Sequence, residues 1–414
     1  MSPLSTGSGD ALLDLLDPDN FVERMPYEEL DRIRDSGALH WYDEGGGAGF
    51  WVVTRYQDVV HVSRRPELFS SYRSGAILRE FDYPSEQARA EALEQQRLLL
   101  INMDPPEHTK LRAIVQRAFT PRTISRLEPR LRQLTEGILE RALAKAEGDF
   151  VTDVAAELPL EAIAELMGIP RQDRGRIFDW SNRLIGFDDP EFQTSPDDGR
   201  IAATEMYAYA NELGERKRQC PADDIVSTLV GGEVDGQRLS EFEFDMFFLL
   251  LAVAGNETTR NAISHGLLAF LDHPDQWELF KRQRPLETMA EEVIRWATPV
   301  IQFQRTATAD TEIAGQRVAA GERLAIYYSA ANRDPAVFED PYRFDVLRDP
   351  NPQIAFGGGG PHFCLGANLA RLEIRVMFDL LAEHVPDIEL AGRPRRLRSM
   401  FINGIKELPV RYRA

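Results

Sequence analysis

AFGGGGPHFCLGANLARLEI, residues 355–374, is the stretch that constrains the fold most tightly. The four consecutive glycines, Gly357–Gly360, can take backbone conformations closed to other residues and would let a flat ligand come close. Cys364 follows, and a helical pattern begins almost at once at Ala367. A cysteine at that point sits among unpaired N–H donors at the positive end of a helix dipole, which favours the thiolate. Such a thiolate suits either a nucleophile, with His362 two residues away as the nearest general base, or an axial metal ligand. A lone cysteine is more often structural, but the glycine run and the helix start both speak against that reading.

The segment FFLLLAVAGNETTRN, residues 247–261, passes from an apolar helix into small and polar residues. Ala254 and Thr258 are four apart and share a helical face. Ala254 and Gly255 are small enough for the helix to lie against a flat cofactor. Glu257 and Thr258 add a carboxylate and a hydroxyl there, a pair suited to relaying protons. Taken alone, the segment also reads as a buried helix with a small-residue packing seam.

With both segments in one chain, the sequence resembles the cytochrome P450 family. FGGGGPHFCLG is similar to that family's haem-ligand loop, and the resemblance implies that Cys364 is the axial thiolate of haem b, iron protoporphyrin IX. Phe356 lies one residue further from the cysteine than in the commonest form of the motif, because the glycine run is longer. AGNETT resembles the oxygen-activation helix, which implies that Thr258 and Glu257 deliver protons and that Ala254 and Gly255 line the cofactor. Haem brings two carboxylates, and buried carboxylates need cationic or hydrogen-bonding partners. The resemblance assigns that role to His108 and Arg112, four apart in PPEHTKLRAIV, with Arg305 and His362. Glu292 and Arg295 resemble the family's Glu-x-x-Arg motif, whose implied partner is Arg343 in PYRF, in a structural role. Four motifs in the family's order, meeting at one haem, imply a single domain over residues 1–414, with about the first 20 flexible.

The rest of the chain agrees. It has 414 residues, with 48 Lys+Arg against 67 Asp+Glu for a net charge of −19, which argues against a nucleic-acid binder. Two cysteines, Cys220 and Cys364, exclude a disulfide framework or a multi-cysteine metal site. The start MSPLSTGSGD lacks signal-peptide order, and the longest apolar run falls far short of a bilayer span, so the expected location is cytoplasmic. The patterning predicts a mainly α fold with small β-sheets. Helices are expected over 122–146, 158–167, 242–271 and 286–297, and strands over 50–54 and over 312–318 paired with 323–328 across a turn at Gly321. Residues 72–99 and 186–199 read as long loops, either lids or binding loops or variable surface insertions.

Lys110, Arg112, Arg117, Arg122, Arg126, Arg130 and Arg132 face a single acid, Glu128, between 110 and 132. This suits either a solvated helical face whose acids come from neighbouring elements or docking of an acidic redox protein. No flavin or ferredoxin module is recognisable, so the expected electron source is a ferredoxin fed by an NAD(P)H-dependent reductase. The resemblance is strongest to bacterial members acting on steroid side chains and methyl-branched lipids, with O2 as co-substrate. Val253, Val300, Ile301, Phe303, Met400 and Phe401 are expected to line an apolar pocket for a steroid, terpenoid or branched lipid. A tailoring hydroxylase of another natural product is the alternative. A haem-thiolate sensor or electron carrier would have no use for Glu257 and Thr258.

Overall fold

The helices that build the site are α1 (Tyr56–Ser63), α2 (Glu107–Gln116), α3 (Glu128–Leu143), α4 (Glu157–Met167), α5 (Arg174–Ile185), α6 (Asp198–Gln219), α7 (Glu241–Asp272), α8 (Leu286–Ala297) and α9 (Ala367–His384). They belong to a computed structural model that describes residues 14–37, 39–45, 48–78, 85–193, 195, 197–385 and 387–413. The axis of the fold is α7, 32 residues long. Ser240 starts it with a capping box, its hydroxyl receiving the Glu243 N–H while the Glu243 carboxylate receives the Ser240 N–H. Helices α4, α5, α6, α8 and α9 all pack on α7. That contact explains why it is apolar on nearly every side, unlike a surface helix with one apolar stripe.

The strands β1 (His40–Gly45), β2 (Ala48–Val53), β3 (Phe69–Ser70), β4 (Gln302–Ala307) and β5 (Arg323–Tyr327) form a sheet in the order β1-β2-β5-β4-β3. β5 runs parallel to β2 and antiparallel to β4. One core cluster runs from Leu100 to Tyr412 through the helices, and smaller ones lie under the sheet. The fold is mainly α with small β-sheets, as the patterning predicts.

Three expectations need correction. The helix expected over 122–146 is two, Pro121–Ser125 and α3, because Pro129 is tolerated only in the first turn of a helix. The strand expected over 312–318 is a hairpin of Thr311–Ile313 and Gln316–Val318. It turns where Ala314 and Gly315 take φ of 55° and 80°. It does not pair with β5, whose central place in the larger sheet goes with burial of nearly every residue. Between 72 and 99 there is a helix, Glu86–Gln96, none of whose residues is buried, so no apolar period marked it. Of the first 20 residues, 1–13 lie outside the described residues, while Leu15 is buried and Pro18–Phe21 form a 3-10 turn capped by Asp17. Parts of the loop segments, 79–84, 194 and 196, also lie outside the described residues.

Candidate active site

The glycine run is shaped by α1. Gly357, Gly359 and Gly360 take φ of 101°, 92° and 77°, open to glycine and strained for other residues. A Cβ at Gly360 would strike the Ser63 carbonyl oxygen, and one at Gly358 would lie 2.8 Å from Ser63 Oγ. The close approach that these residues permit is therefore to a helix of the protein, a role not anticipated from the sequence. The loop closes with the Cys364 N–H donating to the Phe356 carbonyl at 2.9 Å, and α9 starts three residues after the cysteine. Phe356 lies beneath the Arg371 guanidinium, 4.6 Å from its ring centre.

The Cys364 side chain is accessible to solvent, yet protein surrounds it closely enough for burial to push the thiol up. The N–H groups of Gly366 and Ala367 and the cations Arg112 and Arg371 act in the opposite direction, favouring thiolate. Arg112 also donates to the Phe363 carbonyl at 2.7 Å, tying α2 to the cysteine loop.

The middle of α7 is unusual in another way. Ala254 is exposed, and Gly255 and Thr258 are partly so, in a helix otherwise buried there. The Thr258 hydroxyl donates to the Ala254 carbonyl at 2.9 Å. Gly255 has a second duty, since a Cβ there would lie 2.9 Å from Ile163 of α4. Glu257 is fully buried, with its carboxyl raised by desolvation against the pull of Arg260, its ion-pair partner.

The four candidate anion-binding residues come together from distant parts of the chain. The rings of His108 and His362 are 4.4 Å apart, and Ser71 Oγ lies 3.2 Å from His362 Nε2. His108 Nδ1 is buried without a partner among the described residues. Arg305 is buried and its Nη1 donates to the Gln304 carbonyl at 2.7 Å. Among the described residues neither Arg112 nor Arg305 has an acid in ion-pair contact. Burial, then neighbouring Arg cations, hold His108 down to about 4 and His362 down to about 2. Both shifts favour the neutral imidazole, in which one ring N–H can still donate a hydrogen bond. Two uncompensated guanidinium groups and an orphaned imidazole nitrogen fit a group carrying two carboxylates. With an accessible thiolate and a bare step on a helix, they fit haem. Among the described residues no cluster of three or more His, Cys, Asp or Glu could hold a free metal ion.

Val300, Phe303 and Phe401 gather with Leu397, Ile402, Ile77, Ile185, Phe187 and Phe192 in a separate apolar cluster. Phe303 and Phe401 have ring centres 5.5 Å apart, and Phe187 stacks on Phe401 at 6.4 Å. Val253 instead joins the main core. Ile301 and Met400 instead join the cluster with Tyr327 and Phe21, each on the other side of the chain from its neighbour, Val300 or Phe401. The sequence reading missed Phe187 and Phe192, although it marked their loop as a lid.

Glu292 and Arg295 are fully buried and paired at 2.7 Å. The expected third member, Arg343, contributes only its carbonyl, while its own side chain is mostly exposed. The second guanidinium on Glu292 belongs to Arg348, 3.2 Å away. Arg348 lies beyond the PYRF motif, and only the folded chain brings it back.

The comparisons with known proteins agree with this geometry. The pattern described as "Cytochrome P450" matches residues 201–384. A steroid C26-monooxygenase of Rhodococcus jostii is 51% identical over 407 residues, 97% of this chain and 84% of the relative. A methyl-branched lipid omega-hydroxylase of Mycobacterium bovis is 45% identical over 371 residues, 88% of this chain and 84% of the relative. A solved Mycobacterium marinum cytochrome P450 in complex with pseudoionone superposes with a TM-score of 0.90 at 36% identity, covering 99% of this chain and 100% of that one. Likeness of this extent, together with a lone thiolate at the head of α9 and a bare step on α7, means that the chain belongs to the cytochrome P450 family and is a haem-thiolate monooxygenase.

Proposed function

We propose that this chain hydroxylates the side chain of a steroid or the end of a methyl-branched lipid. The observation that carries the reading is the gathering of Phe187, Phe303, Phe401, Val300 and Ile402 into one apolar cluster. Such a wall selects by shape and area, and a hydrocarbon end is what it can hold. The names of the relatives support the same class. A second reading, tailoring of another natural product, shares the pocket chemistry and differs only in substrate shape.

When bound, haem supplies the iron at which one atom of O2 enters the substrate and the other leaves as water, with the Cys364 thiolate donating electron density to that iron. The protein's own residues do the rest. His108 and His362 would donate hydrogen bonds to the carboxylates of that group, and Arg112 and Arg305 would neutralise them. Ala254, exposed on α7, would let the group approach the helix. Thr258, whose hydroxyl now donates to the Ala254 carbonyl, would turn it to hold a proton. Glu257, raised by burial, keeps a proton closer to neutral pH than an ordinary carboxyl and passes it on. The apolar cluster holds the substrate and excludes water.

Electrons come, in this reading, from a ferredoxin and its NAD(P)H-dependent reductase in the cytoplasm. Three of the seven cations in the basic stretch are compensated, since Lys110 pairs with Asp235, Arg130 with Glu165, and Arg132 with Glu128 and Asp379. Arg117, Arg122 and Arg126 are exposed and make no ion pair among the described residues, so they form the docking cations. Reduction by ferredoxin then slows as salt rises; a salt-independent rate would remove electrostatic docking. Among the described residues no helix is long and apolar enough to cross a membrane. The substrate test is a low- to high-spin titration with a 3-keto steroid and a methyl-branched fatty acid, followed by product analysis. Hydroxylation at the chain end supports the reading. Oxidation of neither, with turnover of a polar macrocycle, would reject it.

A further inference from the structure

Two buried charges on α7 are joined to a different helix in a way that the motif reading did not anticipate. Glu257 meets the guanidinium of Arg260, one turn further along, and its Oε1 has no partner among the described residues. Arg260 is also buried, with its Nε unpartnered. Its Nη1 donates to Asn182 Oδ1 at 2.8 Å, and its guanidinium carbon lies 5.9 Å from the ring centre of Phe178. Asn182 and Phe178 belong to α5, which ends at Ile185 and runs directly into Phe187. Ile185 and Phe187 both pack on the apolar cluster that would meet substrate.

We propose that Arg260 and Asn182 are positioning residues: Arg260 fixes the charge and orientation of Glu257, and Asn182 makes that setting depend on where α5 lies. The inference rests on the reading of Glu257 as the proton-delivering acid. An acid on an i,i+3 pair could turn freely with its partner; anchoring the far side of the guanidinium to α5 removes that freedom. A substrate that displaces Phe187 pulls on α5 and through Asn182 on Arg260. Loosening Arg260 leaves burial to dominate and Glu257 takes up a proton; restoring it favours release.

No other charge competes for the acid. Arg260 is the one charged group among the described residues whose field registers at Glu257. α4 presents Ile163 to this part of α7, and its Glu161 is paired with Arg174. From the C-terminal strands, Ile405 donates to Asn261 Oδ1, while the adjoining Lys406 is held at 2.8 Å by Asp189 and by Glu191.

The test is an infrared titration of the full-length holoenzyme, following the carbonyl band of a protonated carboxyl, assigned to Glu257 by its loss in Glu257→Gln. Arg260→Gln is expected to move the midpoint upward by about one pH unit or more. Arg260→Lys should restore most of the shift, and Asn182→Ala should move the midpoint in the same direction by less. An unmoved midpoint in Arg260→Gln, with haem content and unfolding temperature as in the wild type, overturns the proposal. If Arg260→Gln does not fold, Asn182→Ala decides alone, a raised midpoint supporting the coupling and an unchanged one overturning it. Failure of the underlying reading shows elsewhere, as undiminished turnover in Glu257→Gln, because the band titrates whether or not the enzyme turns over.

Discussion

The Glu292 cluster and the middle of α7 are both buried and both polar, yet they are built on opposite plans. Each oxygen of Glu292 has several donors, from Arg295, Arg348, Asn351 and the N–H of Asp345. Arg295 spends its remaining donors on the carbonyls of Asn332, Pro341 and Arg343. On α7, by contrast, both side-chain atoms of Asn256, Oε1 of Glu257 and Nε of Arg260 have no partner among the described residues. The Glu292 network, in which Asn351 Oδ1 lacks a partner but both Glu292 oxygens are fully engaged, is rigid in low dielectric, whereas orphaned charged groups keep alternatives open. The first holds the segment leading to Cys364; the second is where protons have to move.

This contrast can be broken by mutation. Glu292→Ala should have the largest effect, since it strands two buried guanidinium groups. A loss of about 3–5 kcal/mol is expected, read as a fall in unfolding temperature with loss of bound haem. Glu257→Gln should instead fold normally while coupled turnover drops roughly 100-fold. Thr258→Ala should keep haem and divert reducing equivalents to peroxide, measured as product formed per NAD(P)H consumed. Gly360→Ala tests the support beneath the cysteine loop. It is expected to cost about 1–3 kcal/mol, because φ is positive and Ser63 occupies the space a Cβ needs.

Glu373 of α9 sharpens the comparison through pH. It is fully buried, neither carboxylate oxygen has a partner among the described residues, and desolvation raises it well above 4.5. A raised carboxyl contributes stability in full below its unfolded value, and the contribution is lost as pH rises through the folded one. Glu373→Gln should therefore flatten the decline in unfolding temperature between pH 5 and pH 8, to an extent of about 1 kcal/mol or more. The smallest effect belongs to Arg343→Ala, within about 0.5 kcal/mol, because only its backbone carbonyl is used. A larger loss in Arg343→Ala than in Arg348→Ala would invert the assignment of the third member.

Residues 355–374 and 247–261 carried the family, the cofactor and the central residues, because local spacing encodes a loop, a helix start and a shared face. What could not be read locally depends on contacts between distant segments. Arg348 reaches Glu292 across 56 positions, and Ser71 reaches His362 across 291. The downward shift of His108 and His362 follows from burial and from the neighbouring Arg112 and Arg305, which no spacing reveals. Ile301 packs with Tyr327 while its neighbour Val300 packs with Phe401, a division that only the folded packing reveals.

The central claim is that Cys364 is the thiolate ligand of haem iron. The spectrum of the reduced, CO-treated protein tests it most directly. The account predicts a strongly red-shifted Soret band that disappears in Cys364→His while the fold persists. A folded, haem-loaded wild-type protein without that band would contradict it.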